Sequence, residues 1–149
     1  VDAAAIAPTT RGLIAGTNDL SADLHIPPAT GRKGLVYALQ RTLLAARAAG
    51  VAAFDGVYNR LDDPEGLAAE CEEGKSFGFD GKSLIHPDQI ATANRIFGPS
   101  EGEVEGARRL IAAATGGAER HDGRMIEAMH VDQARWTLAR ARAEEGGQA

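Results

Sequence analysis

Long apolar runs are missing from this 149-residue chain. No stretch approaches the ~20 residues needed to cross a bilayer, so no membrane partner is expected. The opening VDAAAIAPTTRG lacks the basic start and extended apolar run of a secretory signal, which makes a cytoplasmic protein the default expectation. Cysteine is nearly missing too. The single Cys71 excludes an internal disulfide framework and gives no zinc-site spacing. It falls at an apolar position of a predicted helix and reads as small core filler. Basic charge is in deficit, with 16 Lys and Arg against 21 Asp and Glu. With no basic patch, nucleic acid is not an expected partner. No serine–histidine–acid pattern and no phosphate-cradling glycine loop is readable. The chain begins with Val1 rather than Met, which suggests a fragment or a processed product.

What is present is a soluble globular composition, 44% apolar and 25% charged. That length suits one domain with a real core. No internal repeat is visible, and the stretches that read as flexible are HIPPATGRKG, TGGAERHDG and the terminal EEGGQA. Between them strands and helices alternate. GLIAG is a short apolar run closed by glycine, a buried strand opening into a loop. Leu35, Leu39 and Leu43 recur at helical spacing, and Gly50 makes a natural stop. Val51 to Tyr58 reads as a second strand. Asp63 is the predicted N-cap of the next helix, with Pro64 in its first turn and Gly78 at its end. A third strand is predicted around Lys82 to Ile85. Pro87 then opens a helix with Ile90, Ala93 and Phe97 on one face. Ser100 and Glu103 form a capping box for a helix through about Ala114. A last helix carries Met125, Met129 and Trp136 towards Arg142. This is the grammar of parallel βα units, with too few strands for a closed barrel.

Ligands of parallel α/β folds bind at the C-terminal ends of the strands. The residues that follow the three predicted strands are Asn18, Asp19 and Asp23; Asn59, Asp62 and Asp63; and His86, Asp88 and Gln89. Carboxylates, amides and one histidine on one rim suit a hard cation such as Mg²⁺. Zinc is a poor fit without a histidine cluster or a second thiolate. Each residue also has a plain local reading. Asp62 and Asp63 start a helix, Asp23 caps a helical turn, and His86 before Pro87 closes a turn. Spacing alone leads to the rim of an α/β enzyme and no further.

Four segments in order carry a resemblance: GTNDLSADL; DGVYNRLDDPEGL; GFDGKSLIHPDQI with NRIFGPSEGEVEGARRLI; and GRMIEAMHVDQARWTLARA. Together they resemble the citrate lyase beta-subunit-like family, the CoA-ester lyases of the HpcH/HpaI aldolase superfamily, from about Ile6 to Ala141. The resemblance implies an α/β fold, the C-terminal half of a (β/α)8 TIM barrel from its sixth strand onward. The barrel half would occupy residues 1–115 and a C-terminal helical lid residues 116–149. It further implies a Mg²⁺-dependent carbon–carbon lyase. The substrate would be a β-hydroxyacyl-CoA such as malyl-CoA, the products an acetyl-CoA-type thioester and a 2-oxo acid such as glyoxylate. Asp19 is the implied Mg²⁺ ligand, and Gly16, His86, Pro87 and Gln89 are implied substrate-binding positions. Glu127 is the implied acid, entering the site of a neighbouring protomer by lid exchange. Many members carry aspartate at that place.

The resemblance puts the second Mg²⁺ carboxylate and a substrate-holding arginine upstream of this segment, and the linker TGGAERHDG is short beside the family's usual stretch. The expected partners are an acyl-CoA and either further copies of the chain or a companion chain supplying the first half. Two other readings compete. One is a non-catalytic half-barrel that serves as an assembly module, because open sheet edges invite association. The other is acyl-CoA thioester hydrolysis, with water as the reacting partner.

Overall fold

The computed structural model describes residues 2–114, 119–121 and 124–146. Its chain forms two compact units, Val1–Phe97 and Gly98–Ala149. The first is built from α1 (Ala3–Ile6), β1 (Gly12–Ile14), α2 (Thr17–Asp23), α3 (Val36–Ala49), β2 (Ala52–Asp55), α4 (Pro64–Phe77), β3 (Gly81–Lys82) and α5 (Ile90–Phe97). Three 3-10 segments, Ala7–Thr9, Pro28–Leu35 and Pro87–Gln89, complete it. The strands make one sheet in the order β1-β2-β3. Both pairings are parallel, with Ile14 opposite Phe54 and Asp55 opposite Lys82. The predicted α/β arrangement of three parallel strands with helices is therefore the observed one.

Local chemistry explains most boundaries. Gly50 and Gly78 close α3 and α4 in the left-handed conformation, at φ 67° and 107°, where a Cβ is strained. The Asp63 carboxylate accepts the Gly66 N–H at 2.9 Å, and Pro64 follows it in the first turn. Leu35, Leu39, Leu43, Ala46, Ala53, Leu67, Cys71, Phe79, Ala93, Ile96 and Phe97 make one buried cluster between sheet and helices. Cys71 is fully buried there, as its apolar setting predicts. A fully buried leucine contributes about 1.5–3 kcal/mol to such a core.

The strands are shorter than the sequence suggests. β2 ends at Asp55, and Gly56 follows where the chain passes close to Thr17. A Cβ on Gly56 would strike the Thr17 side chain and lie 2.8 Å from the Ala15 carbonyl oxygen. Beyond β3 the Ser83 N–H still reaches the Asp55 carbonyl at 2.9 Å, and the Gln89 Oε1 accepts the Ile85 N–H at 3.1 Å. Ile90 is about half exposed while Ala93, Ile96 and Phe97 are buried, so the inward face of α5 starts one turn later than its spacing implies.

The HIPPATGRKG stretch is also ordered. From Pro28 it forms 3-10 turns broken at Gly31, which has φ 61°, and they deliver Arg32 into the interior.

The second unit holds α6 (Glu101–Ala113), the antiparallel pair β4 (Glu119–His121) and β5 (Arg124–Ile126), and α7 (Ala128–Gly146). The Ser100–Glu103 capping box is formed in both directions. Met125 lies in β5 rather than on the last helix, and Trp136 on α7 is exposed beneath the Arg140 guanidinium. A three-residue strand is too short to show its period against a helical pattern. Of TGGAERHDG, residues 115–118 and 122–123 lie outside the described residues, and Glu119–His121 is strand. Of EEGGQA, residues 144–146 continue α7 and residues 147–149 lie outside.

Among the described residues, no helix is long and apolar enough to cross a membrane.

Candidate functional site

Asp19 sits in the first turn of α2, directly beyond the end of β1. The short polar stretch after Gly16 favours a helix start over an extended loop, and an acidic residue in a first turn is favoured by the helix dipole. The carboxylate is exposed and, among the described residues, engages no hydrogen-bond or ion-pair partner. Gly16 lies beside it. A Cβ there would come 3.6 Å from Asp19 Oδ2, so glycine keeps the flank of the carboxylate open. Both residues line a groove of about 950 Å³ with Leu13, Ile14, Leu24 and Arg41.

The β1 and β2 loops are tied together next to Asp19. Asn18 Nδ2 donates to Asn59 Oδ1 at 3.1 Å, and Asn59 Nδ2 donates back to Asn18 Oδ1 at 2.7 Å. Tyr58, one residue earlier, donates its hydroxyl to Asp63 Oδ2 at 2.7 Å. That bond, with burial second, pushes the phenol up to about 12, and together with the Gly66 N–H it holds the Asp63 carboxyl below its ordinary range.

The β2 and β3 loops are joined by Gln89. Its Nε2 donates to the Tyr58 carbonyl at 2.9 Å while its Oε1 holds Ile85. Both ends of this buried amide are thus engaged with backbone. His86 caps the 3-10 turn, Nδ1 accepting the Asp88 N–H at 3.3 Å, and Pro87 opens that turn. His86 and Asp88 are exposed. Gly16 and Asp19 therefore form one cluster, and His86, Pro87 and Gln89 form another at the end of β3. Glu127 belongs to the second unit. It is exposed just ahead of α7, and its N–H donates to His130 Nδ1 at 3.0 Å.

Beneath these loops lies a feature that reading the sequence missed. Asp55 is fully buried at the end of β2. Its Oδ1 accepts from Arg32 Nη2 at 2.7 Å and from the Gly56 N–H at 2.8 Å. Its Oδ2 accepts from Arg32 Nη1 at 2.9 Å and from Lys82 Nζ at 3.2 Å. Lys82 also reaches Glu70 at 2.6 Å, and Glu73 stands 3.4 Å from Arg32. Two cations thus face two enclosed carboxylates, with a third at the edge. A buried charge demands such pairing. The available signal was alternation: Asp55 shares the inward face of β2 with Ala53.

The fit to Mg²⁺ is partial. This ion takes oxygen ligands, keeps several waters and uses one or two protein carboxylates, and Asp19 is a free carboxylate with room beside it. Among the described residues no three or more His, Cys, Asp and Glu side chains gather into a metal-holding group. Asp19 has the oxygen donors and the open flank that one protein ligand of such an ion needs.

Comparison with known proteins identifies the family. The HpcH/HpaI aldolase/citrate lyase family model matches residues 1–87. A (3S)-malyl-CoA thioesterase of Cereibacter sphaeroides is 48% identical over 143 residues, 91% of this chain and 50% of that protein. The citrate lyase subunit beta of Haemophilus influenzae is 39% identical over 138 residues, covering 88% of this chain and 47% of its own length. The chain therefore spans about half the length of the curated relatives it matches. Among solved structures, protein CitE of Mycobacterium tuberculosis in complex with magnesium, acetoacetate and coenzyme A superposes with TM-score 0.79 at 34% identity, over 93% of this chain and 55% of that one. The chain belongs to the HpcH/HpaI aldolase/citrate lyase family.

Proposed function

We propose that this chain is the part of a Mg²⁺-dependent CoA-ester lyase that carries the metal-facing carboxylate, Asp19. The substrate is a malyl-CoA-like β-hydroxyacyl thioester, cleaved to an acetyl-CoA-type thioester and a 2-oxo acid such as glyoxylate. The observation that carries this reading is the open, unpartnered Asp19 carboxylate at the strand end, with Gly16 leaving space on one side and the Asn18–Asn59 pair bracing the preceding residue. When bound, Mg²⁺ supplies Lewis-acid stabilisation of charge on a substrate oxygen. Asp19 holds the ion's protein side, and Gly16 leaves space for substrate beside it. His86 and Pro87 shape the wall beyond β3, with Gln89 fixing that wall to the β2 loop. As the carbon–carbon bond breaks, its electron pair stays with the thioester fragment. The hydroxyl carbon keeps its C–H and becomes the carbonyl carbon of the 2-oxo acid, while the hydroxyl O–H proton leaves to solvent. Glu127 returns a proton to the thioester α-carbon.

In this reading the three βα units belong to a (β/α)8 barrel. The second carboxylate and the substrate-holding arginine come from the remaining polypeptide or from a companion chain. Glu127 reaches a neighbouring copy's site through the C-terminal segment, residues 116–149, of a homo-oligomer.

Thioester hydrolysis is the second reading, and the name of the Cereibacter relative at 48% identity favours it. One assay separates the two. Malyl-CoA is offered to the protein with and without Mg²⁺, and glyoxylate, malate and free CoA are quantified. Acetyl-CoA with glyoxylate, abolished in Asp19→Ala, supports the lyase. Malate with free CoA moves the assignment to hydrolysis. Neither product, with the polypeptide that supplies the second carboxylate and the arginine also present, leaves the half-barrel as an assembly module.

A further inference from the structure

We propose that Asn59 is a positioning residue for Asp19: the reciprocal Asn18–Asn59 amide pair clamps the first turn of α2, and so aims the carboxylate of the next residue. The idea rests on the reading of Asp19 as a metal-facing group.

The geometry argues for a clamp rather than an incidental contact. The two amides, 41 residues apart in sequence, exchange donor and acceptor in both directions, at 3.1 and 2.7 Å. A two-point amide contact fixes rotation as well as distance, which one hydrogen bond does not. The turn it holds needs fixing. α2 has seven residues, and its N-cap, Gly16, makes no side-chain capping bond. A helix this short is marginal without tertiary support.

That support comes from two successive residues. Thr17 abuts Gly56, where no Cβ intervenes, and Asn18 is gripped by Asn59. Asp19 follows immediately. The other side of the clamp is anchored. Tyr58, adjacent to Asn59, has its carbonyl held by Gln89 and its hydroxyl by Asp63. Gly56 is held in turn by the buried Asp55 carboxylate. The clamp therefore ties a short, weakly capped helix to the most strongly bonded part of the rim.

The test uses Asn18→Ala, Asn59→Ala and the double variant, with Mn²⁺ as the probe ion followed by electron paramagnetic resonance. A pair of exposed hydrogen bonds predicts that each single change weakens Mn²⁺ binding roughly two- to tenfold. The double variant should lose no more than either single one, since both remove the same interaction. In an Asp19→Ala background, Asn59→Ala should add nothing. Additive losses overturn the proposal. So does unchanged Mn²⁺ affinity in Asn59→Ala while Asp19→Ala weakens binding.

Amide exchange at Leu20, whose N–H closes the first α2 bond to Gly16 at 3.0 Å, reads the clamp without any metal. If Asp19→Ala leaves Mn²⁺ binding intact, the metal reading falls on its own. Faster Leu20 exchange in Asn59→Ala then upholds the clamp, and unchanged exchange overturns it.

Discussion

Asp55 and Lys82 are register partners at the C-terminal ends of adjacent parallel strands, and their side chains meet at 3.2 Å with both fully enclosed. Arg32 closes the same carboxylate from the other side at 2.7 Å. Replacing Asp55 by alanine leaves two cations in the interior with one enclosed carboxylate, Glu70, between them. Breaking a buried pair in this way costs about 3–5 kcal/mol. Urea denaturation of Asp55→Ala should show a loss of that size with the slope retained. Asp55→Asn keeps the shape and the Gly56 contact, and should lose less. A change below about 0.5 kcal/mol in Asp55→Ala, the size expected at an ordinary surface position, would remove the cluster's structural role.

Why this cluster stayed hidden in the sequence is a matter of range. Caps and stops are written within a few residues, so Asp63 with Pro64, Ser100 with Glu103, and the closing glycines Gly50 and Gly78 were legible. The α/β alternation was legible for the same reason. Arg32, Asp55 and Lys82 meet across separations of 23 and 27 residues. Arg32 moreover lies in a stretch whose prolines and glycines read as slack. The candidate metal carboxylate was visible as a residue following a strand, but not its bracing, because the Asn18–Asn59 pairing depends on how two loops are registered. Met125 has helical spacing to its neighbours in sequence yet lies in β5, because three residues cannot display a two-residue period. Gln89 was expected at a substrate wall, and its sequence context held no sign that both ends of its amide would be taken up by backbone.

Gly56 has no room for a methyl group. A Cβ there would collide with Thr17 and approach the Ala15 carbonyl. Gly56→Ala should therefore push α2 away from the β2 loop and destabilise the protein by about 1–3 kcal/mol, the usual cost of overpacking. Thr17→Ala removes the larger obstruction but not the carbonyl, so the double variant should recover part of the loss and not all of it. Thermal unfolding of the three variants checks this, and full recovery would show that the carbonyl contact relaxes freely.

The Tyr58–Asp63 bond makes two linked titration predictions. It lowers the Asp63 carboxyl and raises the Tyr58 phenol to about 12. A depressed carboxyl contributes stability above its unfolded value, lost as pH falls through the folded one. A raised phenol contributes stability below its unfolded value, near 10, lost as pH climbs towards 12. Tyr58→Phe deletes the phenol's contribution and the larger part of the carboxyl's. The Asp63 carboxyl resonance should then titrate at higher pH than in the wild type. It should not return fully to the ordinary value, since the Gly66 N–H still donates. An unmoved Asp63 midpoint would assign the whole shift to the cap.

Cys71 gives a reporter for all of these changes. It is fully buried in the core, and burial, the leading cause, pushes its thiol above the ordinary value even though Lys82 acts in the opposite direction. Only the thiolate reacts with disulfide reagents, so native Cys71 is protected twice, by access and by ionisation. Modification should proceed through opening of the core, at a rate that follows the population of the open form. In Asp55→Ala, a loss of about 3–5 kcal/mol should speed labelling roughly a hundred- to five-thousandfold. Asn59→Ala, which touches only the exposed clamp, should change it little. Rapid labelling of the wild type under native conditions would mean that the helix layer over α4 opens locally, independently of the charge cluster beside it.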